Sequence, residues 1–271
     1  MKAVVDLGSQ SLRLLTFNSK SDFLKGKMRS EICPLARDLS EGYLKEERKT
    51  EALSILKDFI KGLCTEKVYL YATSALREAE DGQAFIEEIK HSLHIHAEII
   101  SGEEEGRLSY EGVKLLAQEG LFSLLDLGGG STEIVTPLIK KTYPMGVVRY
   151  HEEVDLEKIF KNLPQIEGEL YGIGGSLSVF TSLSLGSNVY DRELINGKKI
   201  TKTKIKELTD VLESLTLKER RTFLGSFEKR AETILPAGRI LLHLLTRLGK
   251  EGLIYCDFSA IEGYALTRGL L

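Results

Sequence analysis

The chain has 271 residues, 42% of them hydrophobic and 28% charged, which is the usage of a globular protein with one large domain or two medium ones. A formal net charge of −3 is too balanced to favour nucleic acid or a membrane surface as a partner, so an anionic ligand would need a local basic patch. Three scattered cysteines form no CxxC pair, which favours a reducing cytoplasm, and no apolar run is long enough for a signal peptide or a membrane span.

The first half of the chain alternates strands and helices. Residues 3–5 and 12–17 are two apolar runs joined by a Gly-Ser turn, a pattern that predicts a β-hairpin. Apolar side chains at helical spacing predict two helices, and short apolar runs predict two further strands. These elements are the helices 50–63 and 85–93 and the strands 67–72 and 97–100.

The second half begins with a similar arrangement. Apolar runs at 121–125 and 132–136 flank the glycine-rich segment 126–131, which predicts a second strand–turn–strand unit. A third glycine cluster follows Tyr171, and helical spacing dominates from about residue 203 onward. Because strand and helix patterns alternate in both halves, the sequence predicts an α/β protein.

One short pattern occurs twice, 120 residues apart. The residues that recur at this spacing are Asp6, Leu7, Gly8 and Ser11, which match Asp126, Leu127, Gly128 and Ser131. A weaker similarity relates segment 71–74 to segment 171–174, and each of them lies where a predicted strand ends and a helix begins. The repeat predicts two similar domains, 1–119 and 120–271, and the alternative is two unrelated glycine turns.

The repeated loop suits phosphate. Glycine lets the backbone approach closely, so several N–H groups of such a loop can point at one anion. Asp6 and Asp126 would repel phosphate directly, and their useful role is to hold Mg²⁺, which bridges to phosphate oxygens. The pattern is neither a P-loop nor a dinucleotide-binding fingerprint, since GxxxxGK[ST] and GxGxxG are both absent. The hydroxyl donors of the two loops are Ser9, Ser11, Ser131 and Thr132.

Seven segments carry a resemblance to a known family. In chain order they are VDLGSQSLRL (5–14), ATSALREA (72–79), ISGEEEGRL (100–108), DLGGGSTE (126–133), MGVVR (145–149), GIGG (172–175) and RAE with ILPAG (230–238). This series resembles the motifs of the exopolyphosphatase / guanosine pentaphosphate phosphohydrolase (Ppx/GppA) family, nearly end to end and in family order. The chain looks like the short, two-domain type.

The resemblance implies a fold and a place for the site. The fold is α/β, with two ribonuclease-H-like domains of the actin, sugar kinase and heat-shock-chaperone superfamily and a cleft between them. The last segment, 261–271, is expected to pack back on the first domain.

The resemblance also implies roles for particular residues. Glu105 matches the proposed general base for the attacking water, and Arg77 matches an arginine that contacts phosphate. Asp126 and Glu133 match acidic residues near the metal, and with Asp6 they complete the predicted Mg²⁺ set. The predicted phosphate-binding residues are Ser9, Gln10, Ser11, Gly128, Gly129, Gly130, Ser131, Thr132, Gly174 and Gly175.

The chain departs from the family pattern at four places. Gln10 stands where the family usually has Asn, Gly106 where it has Ala, and Ser176 where it has Thr. The family's Gly-Leu-Arg-Glu-Gly near the end is Ser-Ala-Ile-Glu-Gly here, so Ile261 occupies the position of the arginine.

Two other patterns can be explained as ordinary surface residues. His91, His94 and His96 form an HxxHxH cluster with no carboxylate or cysteine in register, and we expect them to lie on the surface. The lysine-rich stretch 198–206 either guides a polyanion or forms a solvated helix face.

The leading hypothesis is a cytoplasmic, Mg²⁺-dependent phosphohydrolase that releases terminal phosphate from inorganic polyphosphate. The alternatives are a guanosine pentaphosphate 5′-phosphohydrolase, an alarmone (ppGpp) binding protein with little turnover, and a kinase of the wider superfamily, for which no sugar or acetate signature is present. Expected partners are polyphosphate or guanosine penta/tetraphosphate, with neither nucleic acid nor membrane, and a homodimer is consistent with the resemblance.

Overall fold

The structure is a computed structural model, and it describes residues 1–25, 27–37, 39, 42–117 and 120–271. The chain divides into two compact units: unit 1 is Met1–Gly112 with Ala260–Leu271, and unit 2 is Val113–Ser259. Glu119, the last residue of the first predicted domain, lies outside the described residues. Within the described ranges, every helix is too short or too polar to cross a lipid bilayer.

Unit 1 contains a five-stranded sheet. Its strands are β1 (Lys2–Leu7), β2 (Ser11–Phe17), β3 (Lys27–Ile32), β4 (Val68–Ala72) and β5 (His96–Ile99). The order is β3-β2-β1-β4-β5, with β1, β2 and β3 antiparallel and β4 and β5 parallel to β1. The central strand β1 is buried at five consecutive positions because both faces of the sheet are covered.

Among the described residues, six α-helices belong wholly or partly to unit 1. They are α1 (Lys20–Lys25), α2 (Glu46–Ile60), α3 (Ser74–Glu78), α4 (Gly82–Leu93), α5 (Gly102–Ala117) and α12 (Ala260–Thr267). The predicted apolar face of α4 is buried, as its spacing indicated. Helix α2 ends earlier than predicted, because Gly62 follows it in a left-handed conformation with φ of 80°.

Unit 2 contains a six-stranded sheet. Its strands are β6 (Phe122–Leu127), β7 (Thr132–Val135), β8 (Lys140–Tyr143), β9 (Glu169–Ile173), β10 (Lys199–Thr201) and β11 (Gly252–Tyr255). The order β8-β7-β6-β9-β11 repeats that of unit 1, and β10 is added at the edge, antiparallel to β11. Both sheets therefore have the ribonuclease-H-like strand order, which confirms the predicted α/β fold class.

The helices of unit 2 enclose its hydrophobic core. They are α6 (Leu156–Ile159), α7 (Gly175–Ser184), α8 (Arg192–Ile195), α9 (Lys202–Ser214), α10 (Leu217–Leu224) and α11 (Ile234–Arg247). Buried Phe180, Leu208 and Leu241 belong to one core cluster, contributed by α7, α9 and α11. Gly238 lets α11 approach its neighbours, since a Cβ there would lie 2.3 Å from Thr209 Oγ1.

The weaker sequence similarity between the halves, which matches segment 71–74 with 171–174, differs from the structural correspondence by two residues. In unit 1, Asp6 pairs with Tyr71, whereas in unit 2 Asp126 pairs with Ile173. Tyr71 therefore corresponds to Ile173, and the predicted match with Tyr171 is wrong. A shift of two residues keeps each side chain on the same face of its strand, which is why the sequence pattern did not reveal it.

Candidate functional site

The two repeated loops have the same backbone turn. The amide of Gly8 donates to the carbonyl of Ser11 at 3.1 Å, and Gly128 donates to Ser131 at 3.0 Å. A Cβ at Gly8 would lie 3.0 Å from the Ser11 oxygen, and one at Gly128 would lie 2.9 Å from the Ser131 oxygen. The sequence repeat therefore corresponds to the same backbone hydrogen bond in each loop. Glycine permits the close approach of the two backbone segments in both copies.

In unit 1 the segment after β3 packs along one side of the first loop. Cys33 donates its amide to the carbonyl of Gln10 at 3.0 Å, and Ala36 donates to that of Ser9 at 3.1 Å. The amides of Ser9 and Gln10 have no acceptor in the described part of the chain. The loop carbonyls are therefore satisfied by protein, while adjacent N–H donors are left for a ligand or solvent.

In unit 2 the segment 145–149 crosses the second loop in the same way. Val148 donates its amide to the carbonyl of Gly129 at 2.9 Å. A Cβ at Gly146 would lie 2.4 Å from that same carbonyl oxygen, so the crossing requires glycine. The amides of Gly129 and Gly130 find no acceptor among the described residues.

The side chains of the first loop are mostly buried. The Ser9 hydroxyl accepts the amide of Ala75 at 3.1 Å, which joins the loop to the start of α3. Gln10 is buried, and its Oε1 has no hydrogen-bond partner within the described residues. Ser11 is half-buried at the start of β2. Among the described residues, the Gln10 oxygen is therefore a polar atom held out of solvent without a hydrogen-bond partner.

Asp6 forms an ion pair inside unit 1. Its Oδ2 accepts from Arg13 Nε at 3.1 Å and also from Arg13 Nη2, and the two residues are opposite each other on β1 and β2. Burial is the largest single effect and tends to lower the pKa of Arg13, but the charge of Asp6, its hydrogen bond and the other acidic groups nearby together raise that pKa. The other oxygen, Asp6 Oδ1, is buried and has no hydrogen-bond partner in the described chain.

The equivalent position in unit 2 carries the opposite charge. Asp126 on β6 lies opposite Glu133 on β7, where unit 1 has Arg13. Glu133 is buried and Asp126 half-buried. Neighbouring carboxylates on one sheet face repel each other, so this pair is suited to a cation.

The remaining predicted residues of the second loop are also buried. Ser131 lies at the turn, and the Thr132 hydroxyl donates to the carbonyl of Met145 at 2.5 Å. The hydroxyl of Thr132 therefore already has an acceptor, and it helps to attach the segment 145–149 to β7.

Arg77 and Glu105, the two residues predicted to be catalytic, are in contact. Arg77 Nη1 lies 3.2 Å from Glu105 Oε2, and the two side chains are 23% and 14% exposed. The same guanidinium donates to the carbonyl of Ile100 at 3.0 Å. An arginine at the end of α3 thus holds a carboxylate in the first turn of α5.

The structure separates Glu105 from its two glutamate neighbours. Glu104 forms two hydrogen bonds with Arg107 on the same helix, at 2.7 and 2.8 Å, and Glu103 is exposed. Ser101 begins the helix by accepting the amide of Glu104 on its hydroxyl at 3.1 Å. Acidic side chains in the first turn are favourable because they face the positive end of the helix dipole.

The third glycine cluster borders the second loop. Gly174 has φ of 115°, and a Cβ there would lie 2.5 Å from the carbonyl of Leu127. A Cβ at Gly175 would lie 2.1 Å from Nη2 of Arg230, so a guanidinium lies directly against the first residue of α7. Sequence reasoning gave Arg230 no role, although it lies within one of the matched motifs. Its contact with glycine depends on tertiary structure.

The histidine cluster and the lysine-rich stretch both lie on the surface. His91, His94 and His96 are exposed, and the His96 ring stacks on Tyr69. In the lysine-rich stretch, Lys204 and Lys206 pair with acidic residues of their own helix. Over the described ranges, no group of three His, Cys, Asp or Glu side chains is placed to hold a metal.

This chain is an α/β protein with two ribonuclease-H-like units, each of which carries an Asp-Leu-Gly loop, and these features define its structural class. The model of the Ppx/GppA phosphatase family matches residues 35–268. The chain belongs to this family, and it is a hydrolase of that family.

Similar proteins cover the chain almost completely. It is 26% identical, over all of its length, to a bifunctional 3-dehydroquinate synthase/phosphatase of Fusobacterium nucleatum, of which it spans 46%. It is 25% identical to exopolyphosphatase 2 of Mycobacterium tuberculosis, over 98% of this chain and 97% of that protein. The crystal structure of the Aquifex aeolicus family member superposes with a TM-score of 0.79 at 28% identity, covering 99% of this chain and 97% of that one.

Proposed function

We propose that this hydrolase is an exopolyphosphatase, which releases terminal phosphate from inorganic polyphosphate by attack of water. The observation that carries the proposal is the contact between Arg77 and Glu105. A general base must be held in a fixed orientation, and the guanidinium does this for one carboxylate oxygen of Glu105. The substrate is supported by the exopolyphosphatase of M. tuberculosis, which the chain matches over nearly its whole length.

The phosphate-binding residues are proposed from the loop backbones. Amides of Ser9 and Gln10 in unit 1, and of Gly129 and Gly130 in unit 2, have no acceptor in the described chain. Adjacent N–H groups of this kind form a concavity that favours an anion. Arg230, held against the start of α7, adds a guanidinium whose planar fork suits phosphate oxygens.

Magnesium fits the carboxylates of this chain. Asp126 and Glu133 are hard oxygen donors opposite each other on one sheet face. Mg²⁺ is commonly bound by one or two carboxylates plus water and substrate phosphates, so this pair is sufficient. Asp6 is proposed as a further magnesium residue within unit 1, because its Oδ1 is buried and has no hydrogen-bond partner among the described residues. When bound, the ion would neutralise charge on the phosphate oxygens.

The proposed reaction uses a water molecule as the nucleophile. Glu105 accepts a proton from the water, whose oxygen forms a bond to the terminal phosphorus as the bridging P–O bond breaks. The products are inorganic phosphate and a polyphosphate chain shortened by one unit. Arg77 keeps the Glu105 carboxylate oriented through the step, and the loop amides hold the phosphate oxygens.

The experiment compares Glu105→Gln with Glu103→Gln in a phosphate-release assay on polyphosphate with Mg²⁺. We expect Glu105→Gln to lower kcat by about 100-fold or more, because it removes the base. Glu103 is exposed in the same helical turn, so its substitution should leave the rate close to wild type. Equal rates for the two variants, or no phosphate release by the wild type, would contradict the proposal.

The same assay includes guanosine pentaphosphate, the alternative substrate suggested by the family that the chain belongs to. Release of the 5′-phosphate at a higher kcat/KM than release from polyphosphate would make that the preferred substrate. Tight binding of guanosine tetraphosphate without release from either substrate would instead indicate an alarmone-binding protein.

A further inference from the structure

A row of polar side chains crosses one face of the unit 1 sheet. Strand pairing places Arg13 opposite Asp6, Asp6 beside Tyr71, and Tyr71 beside Glu98. Side chains of paired residues on neighbouring strands point to the same side of a sheet, so the four side chains share a face. The row connects the proposed magnesium residue Asp6 to Tyr71, which sequence reasoning did not single out.

Helix α12 covers the far end of this row. The ring of Tyr264 stacks on the ring of Tyr71, with centroids 5.0 Å apart and planes 25° apart. The Tyr264 hydroxyl donates to Glu98 Oε1 at 2.7 Å, and Arg268 donates to the same oxygen at 3.0 Å. Because α12 covers it, Tyr71 is fully buried.

Two atoms of the row, on directly paired residues, lack hydrogen-bond partners among the described residues. Asp6 Oδ1 and the Tyr71 hydroxyl are both buried, and neither has a hydrogen-bond partner in the described chain. One atom is an acceptor and the other a donor, and they belong to directly paired residues. A phenol hydroxyl can donate a hydrogen bond to a carboxylate oxygen, so the two atoms are chemically complementary.

We propose that Tyr71 is a positioning residue for Asp6. Its hydroxyl donates to Asp6 Oδ1 while Arg13 holds Oδ2, and Tyr264 keeps the Tyr71 ring in place. A carboxylate held at both oxygens presents its charge in one orientation, as the supporting residues around a metal generally require. The inference rests on the proposed function, in which Asp6 acts near the metal.

The test replaces Tyr71 by Phe, which keeps the ring and its stacking and removes the hydroxyl alone. Tyr69→Phe is the matched control, because Tyr69 lies two residues earlier on the same face of β4 and its ring stacks on His96. The readouts are Mn²⁺ binding without substrate, measured by electron paramagnetic resonance, and phosphate release with Mg²⁺. Thermal unfolding verifies that both variants fold.

We expect Tyr71→Phe to weaken Mn²⁺ binding and lower kcat, each by about 10-fold, with little change in KM for polyphosphate. Tyr69→Phe should match the wild type in both readouts. Comparing Asp6→Asn with the double variant that also carries Tyr71→Phe then shows whether Tyr71 acts through Asp6. If it does, removing the Tyr71 hydroxyl from Asp6→Asn should have no further effect.

Three results would overturn the inference. They are equal behaviour of the Tyr71 and Tyr69 variants, an undiminished effect of Tyr71→Phe in the Asp6→Asn background, and no Mn²⁺ binding by the wild type. A wild type that binds Mn²⁺ but releases no phosphate would contradict the proposed function. Mn²⁺ binding by the single and double variants of Tyr71 and Asp6 would still decide the role of Tyr71.

Discussion

Single residues give the two similar loops different chemistry. Both loops close with the same Gly-to-Ser hydrogen bond, yet the residue opposite the aspartate is Arg13 in unit 1 and Glu133 in unit 2. Unit 1 therefore balances the charge of Asp6 within the protein, whereas unit 2 places two carboxylates side by side. The same backbone turn therefore carries an acidic–basic pair of side chains in one copy and two acidic side chains in the other.

The arginine that holds Glu105 should not be replaceable by lysine. Arg77→Lys keeps the charge but shortens the side chain and removes Nη1, the nitrogen that donates to both Glu105 and the Ile100 carbonyl. We predict a fall in kcat of about 10- to 100-fold, because the base is then misoriented, measured as phosphate release.

The control for this variant is Arg107→Lys, which alters a similar ion pair, with Glu104, on the surface of the same helix. It should retain wild-type activity. If both lysine variants lost activity equally, the effect would have to be assigned to the stability of α5 rather than to the orientation of Glu105.

At the level of elements, each loop is shaped by a segment that crosses it. The segments 33–36 and 145–149 come from different sequence contexts, and both donate amides to the loop carbonyls. With the carbonyls satisfied on one side, the loop amides remain as donors on the other. The crossing segments are therefore as necessary to the proposed phosphate site as the loops themselves.

A side chain at Gly146 should disrupt the second loop. In Gly146→Ala the new Cβ would lie 2.4 Å from the Gly129 carbonyl and 2.7 Å from that of Gly128, and neither backbone atom can rotate away. We predict a loss of about 1–3 kcal/mol in the free energy of unfolding, together with weaker phosphate binding. Urea denaturation and calorimetric titration with phosphate measure the two effects.

Thr142→Ala, at an exposed position of the edge strand β8, is the comparison for this variant. It should leave both measurements near wild type. Unchanged stability and phosphate binding in Gly146→Ala would show that the segment can move off the loop without cost.

At the level of the molecule, unit 1 is assembled from both ends of the chain. Residues 260–271 cluster with residues 1–112, and α12 approaches α5 so closely that a Cβ at Gly263 would lie 1.8 Å from the Leu108 carbonyl. The stacking of Tyr264 on Tyr71 belongs to the same contact surface. The stability of unit 1 therefore depends on residues that are the last in the sequence.

Truncating the side chain that α12 buries should destabilise unit 1. Tyr264 is 3% exposed, so Tyr264→Ala removes an aromatic ring from a packed contact and leaves a cavity. We predict a loss of about 3 kcal/mol or more in the free energy of unfolding, measured by urea denaturation with circular dichroism. Tyr264→Phe keeps the ring and should lose much less, and equal losses in the two variants would assign the effect to the hydrogen bond with Glu98.

Much of the fold could be read from the sequence, because short-range patterns report on local structure. The hairpins, the strands 67–72 and 97–100, and the apolar face of α4 follow from spacing alone, and the loop repeat led to the family. Short edge strands such as β8 and β10 were missed, because a few polar residues at a sheet edge have no distinctive pattern.

The sequence by itself determined the fold class, the family and the set of candidate residues, since these depend on local spacing and motif order. Tertiary structure alone decided which of those residues meet. It paired Arg77 with Glu105 rather than with its two neighbours, set Arg13 and Glu133 at equivalent positions, and placed Tyr264 over Tyr71. The physical reason is that such contacts join residues far apart in the chain, and strand register and helix packing fix them.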